Sequence, residues 1–192
     1  HGSYIGHSAL RMYVMGKRAL DQEATEDDVA KMAAMVADAI QAGALGFSTS
    51  RSPTHVTPDD TPVASRIGGW DEIDRLVAPM TELNAGIFQL APDVTSGASQ
   101  EAFFEQVRRI ALESGRPIMF GTIASRQGKD PKPWQFHTKY LDETVAMGGR
   151  MYGQATTRSI NALFSLKSNL PFDLLPTWKE VRALPLEEQK RR

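Results

Sequence analysis

The sequence predicts an α/β protein built on parallel strands, read as a segment of a (β/α) barrel, and three observations carry that reading. Short apolar runs alternate with amphipathic helical stretches, which implies parallel strands joined by right-handed crossovers in either a Rossmann-like sheet or a barrel. A glycine joins helix to strand with almost no loop between them. The runs near Phe88, Met119 and Met151 recur at the roughly 31 residues that one unit of an eight-unit barrel occupies, and this spacing favours the barrel. Counting Tyr4-Ile5-Gly6 as the first, about five strands are readable, whereas closure needs eight. The whole chain, 1–192, is therefore expected to form one partial barrel, with 155–192 an irregular excursion and a short helix within it.

Each element has its own signal. Tyr4-Ile5-Gly6 is a short strand that opens into a turn at His7. Thr25 followed by Asp28 reads as a capping box, and Val29, Met32, Ala33, Val36 and Ile40 then recur at helical spacing until Gly43, whose left-handed backbone ends the helix. The run Ala44-Leu45-Gly46-Phe47 follows as a buried strand. Ile73, Leu76, Val77 and Met80 predict a helix that Pro79 must kink or shorten, and Ile87 to Leu90 the next strand. Ser99 is placed as the cap of a helix whose face is Phe103, Phe104, Val107, Ile110 and Ala111. Gly115 ends it, before the strand Pro117 to Phe120. Tyr140, Leu141, Thr144 and Val145 mark a further helix that stops at Gly148-Gly149, and Arg150-Met151-Tyr152 begins another strand. The last amphipathic run, Trp178 to Leu186, predicts one short helix.

Composition narrows the function classes. With 192 residues, 41% of them hydrophobic, the chain can bury a sizeable core. The net charge of −1, from 22 basic and 23 acidic residues, favours neither nucleic acid nor an anionic membrane. A small-molecule partner is expected instead. The absence of cysteine excludes disulfides and thiolate metal sites. No apolar run approaches the roughly 20 residues of a membrane span. The opening His1-Gly2-Ser3 reads as a tag or cut boundary, and the expected location is the cytoplasm.

In parallel α/β folds ligands bind beyond the carboxyl ends of the strands. Two strand ends here change abruptly from apolar to polar. Phe47 gives way to Ser48, Thr49, Ser50, Arg51 and then His55, and Gly6 gives way to His7 and Arg11. Gln89 and Gln154 sit on or after later strands. These nine residues form the expected substrate rim, with Arg51 suited to a carboxylate and Gln89 to a carbonyl. The basic, proline-containing stretch Arg126 to Pro133 reads as a connector or a lid.

The stretches Tyr4 to Gly16 (YIGHSALRMYVMG), Glu23 to Ser50 and Gly115 to Ser125 (GRPIMFGTIAS) together resemble the amidohydrolase superfamily, in particular its D-aminoacylase (N-acyl-D-amino-acid deacylase) branch. The resemblance is strongest up to Ser50 and weakest after Gln154. It implies a TIM-like (β/α)8 barrel, of which this chain is a middle segment, and hydrolysis of a non-peptide carbon–nitrogen bond by metal-activated water. It implies zinc as the metal. The superfamily's His-x-His pair, general-base aspartate and metal-binding cysteine are expected outside these residues, and the rest of the barrel is expected from further sequence or from self-association.

At two places the chain departs from the pattern. Ala91 stands where a histidine ligand is expected, and Thr122 stands at the second. Ala91 has no donor electron pair, and a neutral hydroxyl is a poor exchange for an imidazole on zinc. Ala124 replaces the branch's substrate-binding lysine. His55 and His137 are not at ligand spacing with each other. Hence no metal ligand is assigned, and the alternative reading is a metal-free barrel that binds an acylated amino acid or a similar small anion.

Overall fold

A computed structural model describes residues 2–93, 98–123, 133–158, 161, 163, 165, 170, 172–173 and 175–192. The chain divides into two compact units, His1–Thr156 and Thr157–Arg192. Among the described residues the first unit holds five strands, β1 (Tyr4–Gly6), β2 (Gly46–Ser50), β3 (Ile87–Ala91), β4 (Ile118–Ile123) and β5 (Met151–Ala155). All are parallel, and they lie side by side in chain order, β1-β2-β3-β4-β5. A sheet in unbroken sequential order is the arrangement a (β/α) barrel needs, and the five strands form an open sheet rather than a closed ring.

Five helices connect or follow these strands: α1 (His7–Met15), α2 (Glu26–Gln41), α3 (Trp70–Glu82), α4 (Ala98–Ser114) and α5 (Pro133–Ala146). When neighbours are joined in order, crossovers of the usual right hand carry every helix over the same face. Burial identifies that face. Phe47, Phe88, Leu90, Ile118 and Phe120 are all but inaccessible and share one core with Met32, Ile73, Met80, Phe104 and Val107 of the helices. Alternate residues on β2 and β3 are only partly buried, and on β5 every residue after Met151 is exposed. Among the described residues of the first unit, one face of the sheet is thus roofed by helices and the other is not.

Local signals set most of these elements. The Thr25 hydroxyl accepts from the Asp28 N–H while the Asp28 carboxylate accepts from the Thr25 N–H, the two halves of the expected capping box. Gly43 has φ +98°, as its role in ending α2 requires. The residues predicted for the α4 face are buried, and Gly115 follows with φ +62°.

Several expectations change. The turn expected at His7 is a helix that starts directly after β1. The hydroxyls Ser48, Thr49 and Ser50 lie within β2 rather than beyond it. Pro79 does not shorten α3, which runs on to Glu82. A mid-helix proline costs about 3 kcal/mol, but full burial of Ile73, Leu76, Val77 and Met80 returns about 1.5–3 kcal/mol each. Ser99 lies inside α4, which begins one residue earlier, at Ala98. Val145 is 55% exposed, because Phe136, Tyr140 and Thr144 form the inner face of α5 and Val145 falls one step around it. Arg126 to Lys132, and Ala124, lie outside the described residues.

In the second unit the expected single helix is two short ones, α6 (Pro176–Arg182) and α7 (Leu186–Gln189), separated at Pro185. Asp173 organises its start, accepting from Trp178 Nε1–H at 2.8 Å and from the Leu170 N–H at 2.7 Å. Phe172 packs edge-on against Trp178 with centroids 5.1 Å apart.

Candidate functional site

The parallel register brings the strand ends to one edge of the sheet. Gly6 pairs with Ser48, Ser48 with Gln89, Gln89 with Met119 and Met119 with Tyr152. One step further, Ser50 pairs with Ala91, and Gly121 with Gln154. Paired residues of neighbouring parallel strands point to the same face. Ser48, Ser50, Gln89 and Gln154 therefore share the face that the helices leave uncovered. His55, in the loop after β2, is exposed, and its Nδ1 stands 2.5 Å from Ser50 Oγ.

His7, Arg11 and Thr49 go elsewhere. They are 1%, 0% and 7% exposed, beneath the sheet rather than on its rim. His7 and Arg11 are four residues apart on α1 and so share one side of the helix. There they meet Glu72, from the first turn of α3. Glu72 Oε1 accepts from His7 Nε2–H at 2.5 Å, and Arg11 Nη1–H donates to Oε2. The Thr49 hydroxyl donates to His7 Nδ1 at 2.9 Å. Arg11 Nη2 also donates to the carbonyl of Gln22 at 2.6 Å. Burial holds the His7 pKa below its ordinary value, since the imidazolium would lose its hydration. Burial alone would raise Glu72, but hydrogen bonds from His7 and Arg11 outweigh it and leave the carboxyl below its usual range. The consistent state is a neutral His7, with its proton on Nε2, beside a Glu72–Arg11 ion pair. Gly68 permits it: a Cβ there would overlap Glu72 Oε1 and come within 3.1 Å of His7 Cε1.

Arg51 is also committed inward. Its Nη1 donates to the carbonyls of Ser65 at 3.1 Å and Gly68 at 2.5 Å, and its guanidinium lies 5.8 Å from the Trp70 ring centroid. Burial lowers its pKa. It stitches segment 64–70 to the end of β2, as does Ser65 Oγ donating to the Ser50 carbonyl, while the Ser65 N–H donates to Ser8 Oγ and ties the same segment to α1. The guanidinium is thus already partnered where a carboxylate clamp was expected.

Sequence reasoning missed Glu72, which reads simply as one acidic residue in the first turn of an amphipathic helix. Its partners lie 61 and 65 residues away, so no local spacing signals it. Glu72 also lines a cleft of about 300 Å³ between the first turns of α2 and α3. Glu23, Glu26 and Asp71 give that cleft an acidic wall, and Arg75 is paired with Glu26. Such a wall repels a carboxylate.

The residues present do not fit the zinc site that the resemblance implies. Ala91, at the end of β3, offers no donor, and no group of three or more histidine, aspartate or glutamate side chains stands ready for a metal among the described residues. No helix among those residues is long and apolar enough to cross a membrane.

No protein-family model matches the chain. Over 115 residues it is 34% identical to an uncharacterized protein of Mycobacterium tuberculosis (strain ATCC 25618 / H37Rv), and equally to one of Mycobacterium bovis. The match takes in 56% of this chain and 19% of each relative, so the chain spans about a fifth of their length. A crystal structure of D-aminoacylase, described as defining a novel subset of amidohydrolases, superposes with TM-score 0.58 at 23% identity. It covers 79% of this chain and 29% of its own. N-acyl-D-glutamate deacylase from Bordetella bronchiseptica, complexed with zinc and a phosphonate mimic of the tetrahedral intermediate, superposes with TM-score 0.59 at 18% identity, over 78% of this chain and 29% of its own. The resemblance read from the sequence therefore has its counterpart in three dimensions: the chain shares its fold with part of two amidohydrolases, a D-aminoacylase and an N-acyl-D-glutamate deacylase.

Proposed function

We propose that the protein is a hydrolase of the amidohydrolase superfamily that cleaves the amide carbon–nitrogen bond of an acylated amino acid. The observation that supports this most is the row of small polar side chains, Ser48, Ser50 and Gln89 with Gln154, on the uncovered face at the carboxyl ends of parallel strands. A fold of this kind collects its chemistry at that edge. In this reading Gln89 hydrogen-bonds the acyl carbonyl, while the serine hydroxyls and exposed His55 hold the carboxylate. Arg51 acts from behind, by fixing the loop that carries them. His7, Arg11 and Thr49 with Glu72 make the rigid base under β1 and β2. No step is routed through zinc, because Ala91 offers no donor to hold it.

A second reading, a barrel that binds an acylated amino acid or similar small anion without cleaving it, is favoured by the same methyl group at Ala91. Hydrolysis measured on a panel of N-acyl-D-amino acids, alongside calorimetric binding of the same compounds, separates the two. Turnover that falls at least tenfold in Gln89→Ala supports the hydrolase. Saturable binding without turnover supports the second reading. Neither binding nor turnover across the panel refutes the substrate class.

A further inference from the structure

We propose that Ser50 and His55 form a nucleophile–base pair able to accept an acyl group from a small ester or activated amide without a metal. Ser50 Oγ stands 2.5 Å from His55 Nδ1, and the Ser52 N–H donates to the same oxygen at 3.3 Å. With Ser52 occupying an acceptor position on Oγ, the hydroxyl proton is directed onto Nδ1, and the ring carries its own proton on Nε2. A base so placed takes the proton as the serine attacks. His7 cannot do this, because both of its nitrogens are engaged in the buried network.

Position adds a second argument. Ser50 is the last residue of β2 and shares the uncovered face with its register partner, Ala91. Ala91 places only a methyl group beside the hydroxyl. His55 is exposed, so an acyl donor reaches the pair from solvent. Arg66 donates to the carbonyls of Pro53 at 3.3 Å and of His55 at 3.4 Å, which ties down the loop that carries His55.

The chemistry balances within the pair. Ser50 Oγ bonds to the acyl carbon as its proton passes to His55 Nδ1. The bond from that carbon to the leaving oxygen or nitrogen then breaks, and the departing alcohol or amine takes the proton. Water attacks the acyl-serine next, giving a proton to His55, which returns it to Ser50 Oγ as the acid departs. This route gives Ser50 and His55 a chemical role in place of the carboxylate contact proposed above, and it does not require the amide specificity of that reading.

The test is covalent labelling of the purified protein with a fluorophosphonate in the presence of EDTA, followed by peptide mass mapping. The expected result is a single adduct on Ser50 that forms at least tenfold more slowly in His55→Gln. A p-nitrophenyl acetate burst of about one equivalent per chain should be lost in Ser50→Ala. His55 is exposed, so its replacement leaves the core intact, and an unchanged near-ultraviolet circular dichroism spectrum verifies that. An unlabelled Ser50 in the wild type, or a labelling rate indifferent to His55→Gln, overturns the proposal.

Discussion

Glu72 ties three elements together, since its carboxylate on α3 accepts from His7 and Arg11 of α1, and His7 in turn accepts from Thr49 of β2. Removing one partner of a buried charged pair leaves the other uncompensated, which costs about 3–5 kcal/mol. Glu72→Gln is expected to lose that much in urea unfolding, and adding Arg11→Met should recover part of it, because the stranded charge leaves too. The same network makes the protein sensitive to acid. The His7 pKa is lowered by folding, so as pH falls below its ordinary value of 6.5 the unfolded chain binds a proton that the folded one refuses. Stability then drops, by up to about 1.4 kcal/mol per pH unit for one such proton. Glu72, also lowered from 4.5, extends the loss further into acid. Thermal unfolding between pH 7.5 and 5 should show the first part of this slope, and His7→Gln should flatten it. His7 and Arg11 were legible as unusual residues after a strand. Their burial was not, because Glu72 is supplied by a distant helix.

At the level of elements, the local grammar was readable where backbone chemistry alone decides. The Thr25–Asp28 box is complete, and Asp28 also accepts from Arg18 at 3.0 Å, which with the Thr25 bonds holds its carboxyl well below the usual range. Thr25→Ala is expected to cost about 1 kcal/mol, measured by chemical denaturation, with no change of fold. Helix α3 shows the opposite case. Pro79 is a strong local stop signal, and packing of four buried apolar side chains overrides it. In β2 the pattern of hydroxyls suggested a loop. Thr49 nevertheless enters the strand because His7 waits beneath it as a partner, and Ser48 and Ser50 do so because their face is open.

For the molecule as a whole, the open sheet face governs behaviour. Tyr152 is 53% exposed on β5, and its register partner Met119 and the nearby Ile87 are only partly covered. Apolar groups on an uncovered sheet favour association. Sedimentation of the purified chain is expected to show concentration-dependent self-association that Tyr152→Lys weakens, and a strictly monomeric chain at all concentrations would count against it. The sequence by itself determined the alternation of strand and helix, the capping of α2, the parallel order of the sheet and the likeness to amidohydrolases. These follow from periodicity, turn chemistry and short motifs, all of which act over a few residues. Only the tertiary structure decided which polar residues at the strand ends face outward and which are sealed inside. That choice depends on partners 42 to 65 residues away, which helix packing brings within hydrogen-bonding reach.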